Sequence, residues 1–283
     1  MRYGFFPGCS YKSEAGYAES VAAINQALGI ELTQLSDWNC CGATAMFSLD
    51  ETKALALTAR LFALANSQGY DQIVTTCNAC YATLKKAGHI FESNPEAINP
   101  INAQLSHEGL KVENLCPVRH YLDVLYHDVD AEVWSQATSN FVSEIKVATY
   151  YGCQLTRPWA DLDQPQRPTI LDEFISRIGF RTVDHSAKTL CCGASHFFPY
   201  EQECGRLIKR IIGEMVRKGA QMITTVCPLC QFNLDSMQAK IDIPPIPVPY
   251  FTQLAGLALG FKPSELGMQK LLVPWQQILD HVS

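Results

Sequence analysis

The sequence predicts an α/β fold of two pseudo-symmetric repeats, each a mainly parallel sheet with flanking helices and with cysteines at the carboxyl ends of its strands. Three observations predict it. Short aromatic or β-branched runs alternate with helix-period patterns. One cysteine pattern occurs twice along the chain, and Cys9, Cys77, Cys153 and Cys227 each directly follow a predicted strand.

Residues 2–7 and 146–151 read as the first strand of each half. Residues 72–76 and 222–226 read as another pair, and 30–35 and 180–185 are weaker strand runs. The clearest helix places Leu207, Ile208, Ile211, Ile212, Met215 and Val216 on one face, with Arg206, Lys209, Arg210, Glu214 and Arg217 on the other. Residues 94–115 and 128–145 are polar and read as linker, with a short helix over 118–127. The boundary falls near residue 144: an N-terminal repeat plus linker over 1–143, and a C-terminal repeat over 144–283. The apolar segment 250–261 reads as a buried helix, with a peripheral membrane contact as the lesser reading. Pro244, Pro245, Pro247 and Pro249 read as an extended connector, with a docking edge as the lesser reading.

Composition narrows the function. The chain has 283 residues, 47% of them hydrophobic and 18% charged, which is enough apolar side chain for a real core. Net charge is −6 and no Lys/Arg run forms a basic stripe, so nucleic acid is excluded as a partner. No 18-residue apolar stretch exists, so no transmembrane span is expected. The first residues lack the apolar run of a signal peptide. No G-x-G-x-x-G occurs, so no dinucleotide site is indicated. In such a chain twelve cysteines point to metal ligands or redox groups rather than disulfides.

The first half carries Cys9, Cys40-Cys41-Gly42 and Cys77-Asn78-Ala79-Cys80; the second carries Cys153, Cys191-Cys192-Gly193 and Cys227-Pro228-Leu229-Cys230. The copies are offset by 144 residues from Cys9 to Cys153, 151 from Cys40 to Cys191 and 150 from Cys77 to Cys227. Ligands of open α/β sheets bind beyond the carboxyl ends of the strands, so five cysteines in each half can converge. Cys77 and Cys80, like Cys227 and Cys230, start a helix, where unpaired N–H groups favour thiolates. Gly42 and Gly193 allow a sharp turn beside them.

A zinc ion takes four ligands, so five thiolates per half make zinc a lesser reading, more open in one site than in both. The sequential cysteine run of ordinary cubane clusters is absent. A dithiol/disulfide site would suit the CxxC pairs but not Cys9 or Cys40-Cys41. Cys116 and Cys204 fall outside the pattern and read as buried thiols. His196 is a candidate catalytic proton donor to a product thiolate; the plainer reading is a loop histidine bonded to backbone. His120, beside Arg119, has similar standing.

These motifs carry a family resemblance. Phe6-Pro7-Gly8-Cys9-Ser10, Cys40-Cys41-Gly42-Ala43, Cys77-Asn78-Ala79-Cys80-Tyr81, Cys191-Cys192-Gly193-Ala194-Ser195 and Cys227 through Asp235 resemble the duplicated cysteine-rich CCG proteins, of which the heterodisulfide reductase B subunit is one. The resemblance spans essentially the whole chain. It implies two non-cubane 4Fe–4S clusters, one on Cys9, Cys40, Cys41, Cys77 and Cys80, the other on Cys153, Cys191, Cys192, Cys227 and Cys230. It implies an oxidoreductase component, active only with partner subunits: a ferredoxin-like iron–sulfur subunit with cubane clusters, and a flavoprotein. The substrate implied is a small disulfide, opened in one-electron steps. The alternative it implies is a quinone-interacting electron-transfer or anchor subunit of an E-type succinate dehydrogenase or fumarate reductase. The expected location is cytoplasmic, or peripheral at the inner face of the membrane.

Overall fold

Strands and helices alternate throughout the computed structural model, which describes residues 2–12, 15–43, 45–138 and 143–276. In chain order the first elements are β1 (Arg2–Phe6), α1 (Tyr17–Leu28), β2 (Glu31–Gln34), α2 (Met46–Leu49), α3 (Glu51–Ser67), β3 (Ile73–Thr75) and α4 (Asn78–Ser93). There follow α5 (Ile98–Leu105), β4 (Val118–His120), α6 (Tyr121–His127), α7 (Ala131–Ala137), β5 (Lys146–Tyr150) and α8 (Ile170–Arg177). The last are β6 (Arg181–Val183), α9 (Glu201–Arg217), β7 (Met222–Thr225), α10 (Pro228–Ser236) and α11 (Phe251–Ala258). All six strands expected from the sequence are present, with ends trimmed by a residue or two.

The chain divides into two compact units, and the division does not run at residue 144. One unit comprises the chain up to Cys9 together with Ile30–Tyr121; the other comprises Ser10–Gly29 and the chain from Leu122 onward. In the first unit the strand order is β2-β1-β3-β4, all parallel. The inner strand β3 is buried along its whole length, which is why Ile73-Val74-Thr75 reads as a continuous apolar and β-branched run. In the second unit the order is β6-β5-β7, again parallel. Helix α1 packs there against α11. The Tyr17 ring stacks on Tyr250 at 3.9 Å, its hydroxyl donates to the Val226 carbonyl at 2.9 Å, and the Ser20 and Thr252 hydroxyls meet at 2.7 Å.

Three expectations need correction. Residues 118–120 begin no helix: they form β4, whose register on β3 pairs Val118 with Ile73, and the helix starts at Tyr121. Local pattern misses this because the strand exists only through its partner. Residues 94–115 are not plain linker. They form a 3₁₀ turn at Pro95–Ala97, α5, and a second 3₁₀ turn at Ser106–Glu108. Within 128–145, Ala131–Ala137 is helical, and residues 139–142 lie outside the described residues. Nor is the proline stretch a mere connector or a docking edge. Ile246, Val248 and Tyr250 are buried, and the carbonyls of Pro247 and Pro249 accept hydrogen bonds from the Ile223 and Thr225 N–H groups of β7. Proline has no N–H to return, so this edge position carries a single bridge, Thr225 to Tyr250, instead of a ladder.

Segment 250–261 contains the buried helix α11, with Phe251, Leu254 and Ala255 wholly covered, so it has no free apolar face to lay on a membrane. No helix among the described residues is long and apolar enough to cross one.

Candidate functional site

In the first unit the five cysteines of the pattern meet at the carboxyl ends of β1 and β3 and in the turn after β2. Cys9 opens the turn that follows β1 and is exposed. Cys77 is the N-cap residue of α4 and Cys80 lies one turn in, both buried. Cys41 is buried with its sulfur 3.3 Å from that of Cys80, whereas Cys40 is exposed. Asn39 holds the paired cysteines in place: its side-chain amide donates to the carbonyl of Cys40 at 2.9 Å and to that of Leu57 on α3 at 3.0 Å. Gly8 has φ +71°, and a Cβ there would stand 2.9 Å from the Cys80 sulfur. Only glycine lets the backbone pass that close.

The second unit repeats the arrangement. Cys227 is the N-cap of α10 and Cys230 lies one turn in, with its sulfur 3.7 Å from that of Cys192. Cys153 is half-buried and Cys191 exposed. Buried Asn233 donates to the Cys192 carbonyl at 2.7 Å, and the Tyr150 hydroxyl donates to the Leu190 carbonyl at 2.6 Å. Cys204, on α9, packs behind the loop and donates its S–H to the Gly193 carbonyl at 3.2 Å. Gly193 has φ +77° and a Cβ there would meet that sulfur at 2.9 Å. The structure thus brings together all ten patterned cysteines, five in each unit. Cys204 stands beside the second set as a support. Cys116 lies apart, its sulfur against the Tyr70 carbonyl and the Asn66 amide.

The thiols of each set share protons. Cys41 is held down at about 3 because the thiols of Cys40 and Cys80 donate to it, and both donors are pushed upward in consequence. Cys191 is lowered to about 6 by the Cys153 thiol, the Gly193 N–H and the nearby His196, while Cys153 is raised. The hydrogen bonds it makes to Cys192 and Cys227, together with burial, push Cys230 up. Five crowded thiols cannot all ionise by themselves; a cation among them would allow it, and metal binding releases their protons.

His196 is exposed on the 3₁₀ turn Ala194–His196, its ring centroid 6.0 Å from that of Tyr200. His120 is buried in β4 against Tyr81. Sequence reasoning overlooked an aromatic rim beside the second set: Phe197 meets Phe198 at 5.3 Å and Phe232 at 5.5 Å, with Phe198 and Tyr200 largely exposed. The signal was the run Phe197-Phe198-Pro199-Tyr200, too apolar for an ordinary surface loop.

None of the twelve cysteines is in a disulfide. Among the described residues, no three Cys, His, Asp or Glu side chains already stand as a cage for a bare ion. An all-sulfur set of five thiols with soft-ligand chemistry fits an iron–sulfur core better than one tetrahedral ion. The model of the cysteine-rich CCG domain matches the chain twice, over residues 3–85 and 147–235. The chain belongs to the CCG family. Each match in this CCG protein contains one complete five-cysteine set, and the family membership implies iron–sulfur clusters.

Along its whole length the CCG chain is similar to curated proteins. It is 32% identical over 274 residues to the 8-methylmenaquinol:fumarate reductase membrane anchor subunit of Wolinella succinogenes, covering 94% of this chain and 95% of that one. It is 29% identical over 283 residues to the B subunit of the ferredoxin/F420H2-dependent CoB-CoM heterodisulfide reductase of Methanosarcina acetivorans, covering 95% and 93%. A protein of Archaeoglobus profundus that is itself like the heterodisulfide reductase B subunit is 31% identical over 94% of this chain and 93% of its own. Among solved structures, a hypothetical protein from Helicobacter pylori shares the fold, with a TM-score of 0.72 and 15% identity. The match covers 96% of this chain but 52% of that protein, so the chain spans about half its length.

Proposed function

We propose that this CCG protein is the iron–sulfur subunit of a heterodisulfide-reductase-like complex, holding two non-cubane 4Fe–4S clusters and handling a disulfide/thiol substrate in one-electron steps. The observation that supports it is that both units keep a complete, convergent set of five cysteines. When bound, the clusters supply single-electron transfer and iron sites that accept thiolates. The chain's own residues do the rest. Cys9, Cys40, Cys41, Cys77 and Cys80 hold one cluster; Cys153, Cys191, Cys192, Cys227 and Cys230 hold the other. Asn39, Asn233 and Tyr150 fix the loops that carry the paired cysteines. Cys77 and Cys227 cap the amino ends of α4 and α10, where the helix dipole favours a thiolate. His196 delivers a proton to a product thiolate. Partners of the reading are a ferredoxin-like subunit with cubane clusters and a flavoprotein, since the chain has no nicotinamide motif.

A second reading, electron exchange with a quinone as an anchor subunit, draws on the Wolinella relative and on the exposed aromatic rim at Phe198, Tyr200 and Phe232. The test is metal content followed by turnover. Anaerobically isolated protein should hold about eight irons with matching acid-labile sulfide, and with its partner subunits should reduce a disulfide and ignore quinones. About one zinc per unit without sulfide would sink the cluster assignment, and zinc in one unit alone would halve the iron. Turnover with a quinol and none with disulfides would move the assignment to the second reading.

A further inference from the structure

The two copies of one helix have diverged in a way that marks a docking surface. Helices α3 and α9 are both 17 residues long, start at Glu51 and Glu201, and each follows the paired cysteines of its repeat. Helix α3 is covered by its own chain. Helix α5 packs on it, the Asn66 side-chain oxygen accepts from the N–H groups of Glu113 and Asn114, and Arg60 pairs with Asp37 and Glu108. Ala59, Ala63 and Leu64 are buried beneath this cover. At the same places α9 has Lys209, Gly213 and Glu214; the turn Met237–Lys240 after α10 packs on the start of α9, where Lys240 pairs with Glu201 and Met237 lies against Gly205, and leaves Lys209 and Arg210 exposed. Arg206, Lys209, Arg210, Arg217 and Lys218 are all exposed.

This face is basic in an acidic protein. From Arg206 to Lys218 there are five cations and one acid, in a chain of net charge −6. Arg206 pairs with Glu203 and Arg217 with Glu214, but Lys209, Arg210 and Lys218 form no ion pair among the described residues. Grooves of about 640 Å³ and 350 Å³ flank the helix, the first beside Arg206 and Lys209, the second beside Arg210 and Arg217. The amino end of α9 also bears on the cysteine loop. A Cβ on Gly193 would stand 3.2 Å from Leu207, whose side chain is 38% exposed, so anything seated on Leu207 is one side chain from that loop.

We propose that the exposed basic face of α9, formed by Arg206, Lys209 and Arg210 and extended by Lys218 at its C-cap, docks a small acidic electron-carrier protein of the ferredoxin kind. The inference rests on the iron–sulfur reading above, because electron exchange is what makes closeness to the cysteine loop useful. Charge and size favour a compact partner. The stripe is about 20 Å long, enough for a small acidic protein, whereas extended polyanions such as DNA or an anionic membrane would also meet the net-negative remainder of the chain. Complementary charge speeds such encounters and weakens with salt.

A fluorescently labelled acidic 2Fe–2S ferredoxin, titrated anaerobically into the full-length protein, tests this. Saturable binding that weakens with added salt is expected. The Lys209→Glu/Arg210→Glu/Lys218→Glu variant should bind at least about tenfold more weakly, by loss of attraction at the rim. A variant with the same charge change elsewhere, Lys111→Glu/Lys146→Glu/Lys262→Glu, should bind within about twofold of wild type. Equal weakening in both variants, absence of ferredoxin binding, or preference for anionic vesicles or DNA would overturn the proposal. Iron and sulfide are measured on the same samples. Binding that depends on the α9 charges in protein lacking both would sink the iron–sulfur reading and leave the surface standing.

Discussion

At the scale of single residues, each cysteine set pairs sulfurs of opposite character. Cys191 is exposed and held near 6, while Cys153 beside it is held up as its proton donor. An ordinary thiol titrates at about 8.5, and the thiolate is the species that alkylates. The lowered group is therefore thiolate above about 6 and loses reactivity as pH falls through that value. In metal-free protein, Cys191 should react with iodoacetamide at a rate that levels off by about pH 7, and Cys153→Ala should move the midpoint upward. Peptide mapping by mass spectrometry reads both; a midpoint near 8.5 in the parent protein would contradict the proton sharing. The cysteine positions were legible in the sequence because their spacing repeats. The proton sharing was not, since it depends on which sulfurs face one another after folding.

At the scale of elements, α10 joins the second cysteine set to the chain's last described segment. One turn beyond Cys230, buried Asp235 accepts from the Gln231 side chain at 3.0 Å and from the N–H groups of Leu272 and Val273 at 2.9 and 3.1 Å. Burial raises this carboxyl, and the three donors work against that. Asp235→Ala leaves those donors without their acceptor and should lower unfolding stability by about 2 kcal/mol. Asp235→Asn keeps one acceptor oxygen and should lose less. Urea melts check the order; equal stabilities would show that the tail is held by packing alone. The strands were readable from their apolar and β-branched runs, but not β4, which is three residues long and stands only because β3 offers an edge. Polar composition likewise hid α5 and α7, because a helix half-covered by neighbours needs few apolar residues of its own.

At the scale of the molecule, duplication supplies two five-cysteine sets that share no residue. In the proposed function, opening a disulfide takes two electrons and leaves two thiolates, and each of the two clusters would supply one electron. Cys41→Ala and Cys192→Ala should each remove about half the iron and leave the other cluster's paramagnetic signal. Each should nonetheless abolish disulfide turnover by the complex. A variant that kept about half the rate would make the two sites independent. Loss of turnover from Cys192→Ala alone would reduce the first site to a relay or a structural metal.

By itself the sequence determined the duplication, the six principal strands, the ten patterned cysteines and the family, because each is written in local spacing or in a motif with itself as comparison. Tertiary structure alone decided the rest. It placed α1 in the second unit through Tyr17 and Ser20, whose partners Tyr250 and Thr252 are more than two hundred residues away. It set the proline stretch along β7, where carbonyls without answering N–H groups make an edge that no strand pattern announces. It also covered α3 with residues 95–114 and left the Lys209–Arg210 face of α9 exposed. Both helices were open to reading as amphipathic; what lies across a helix depends on where a distant segment packs, and no periodicity within the helix records that.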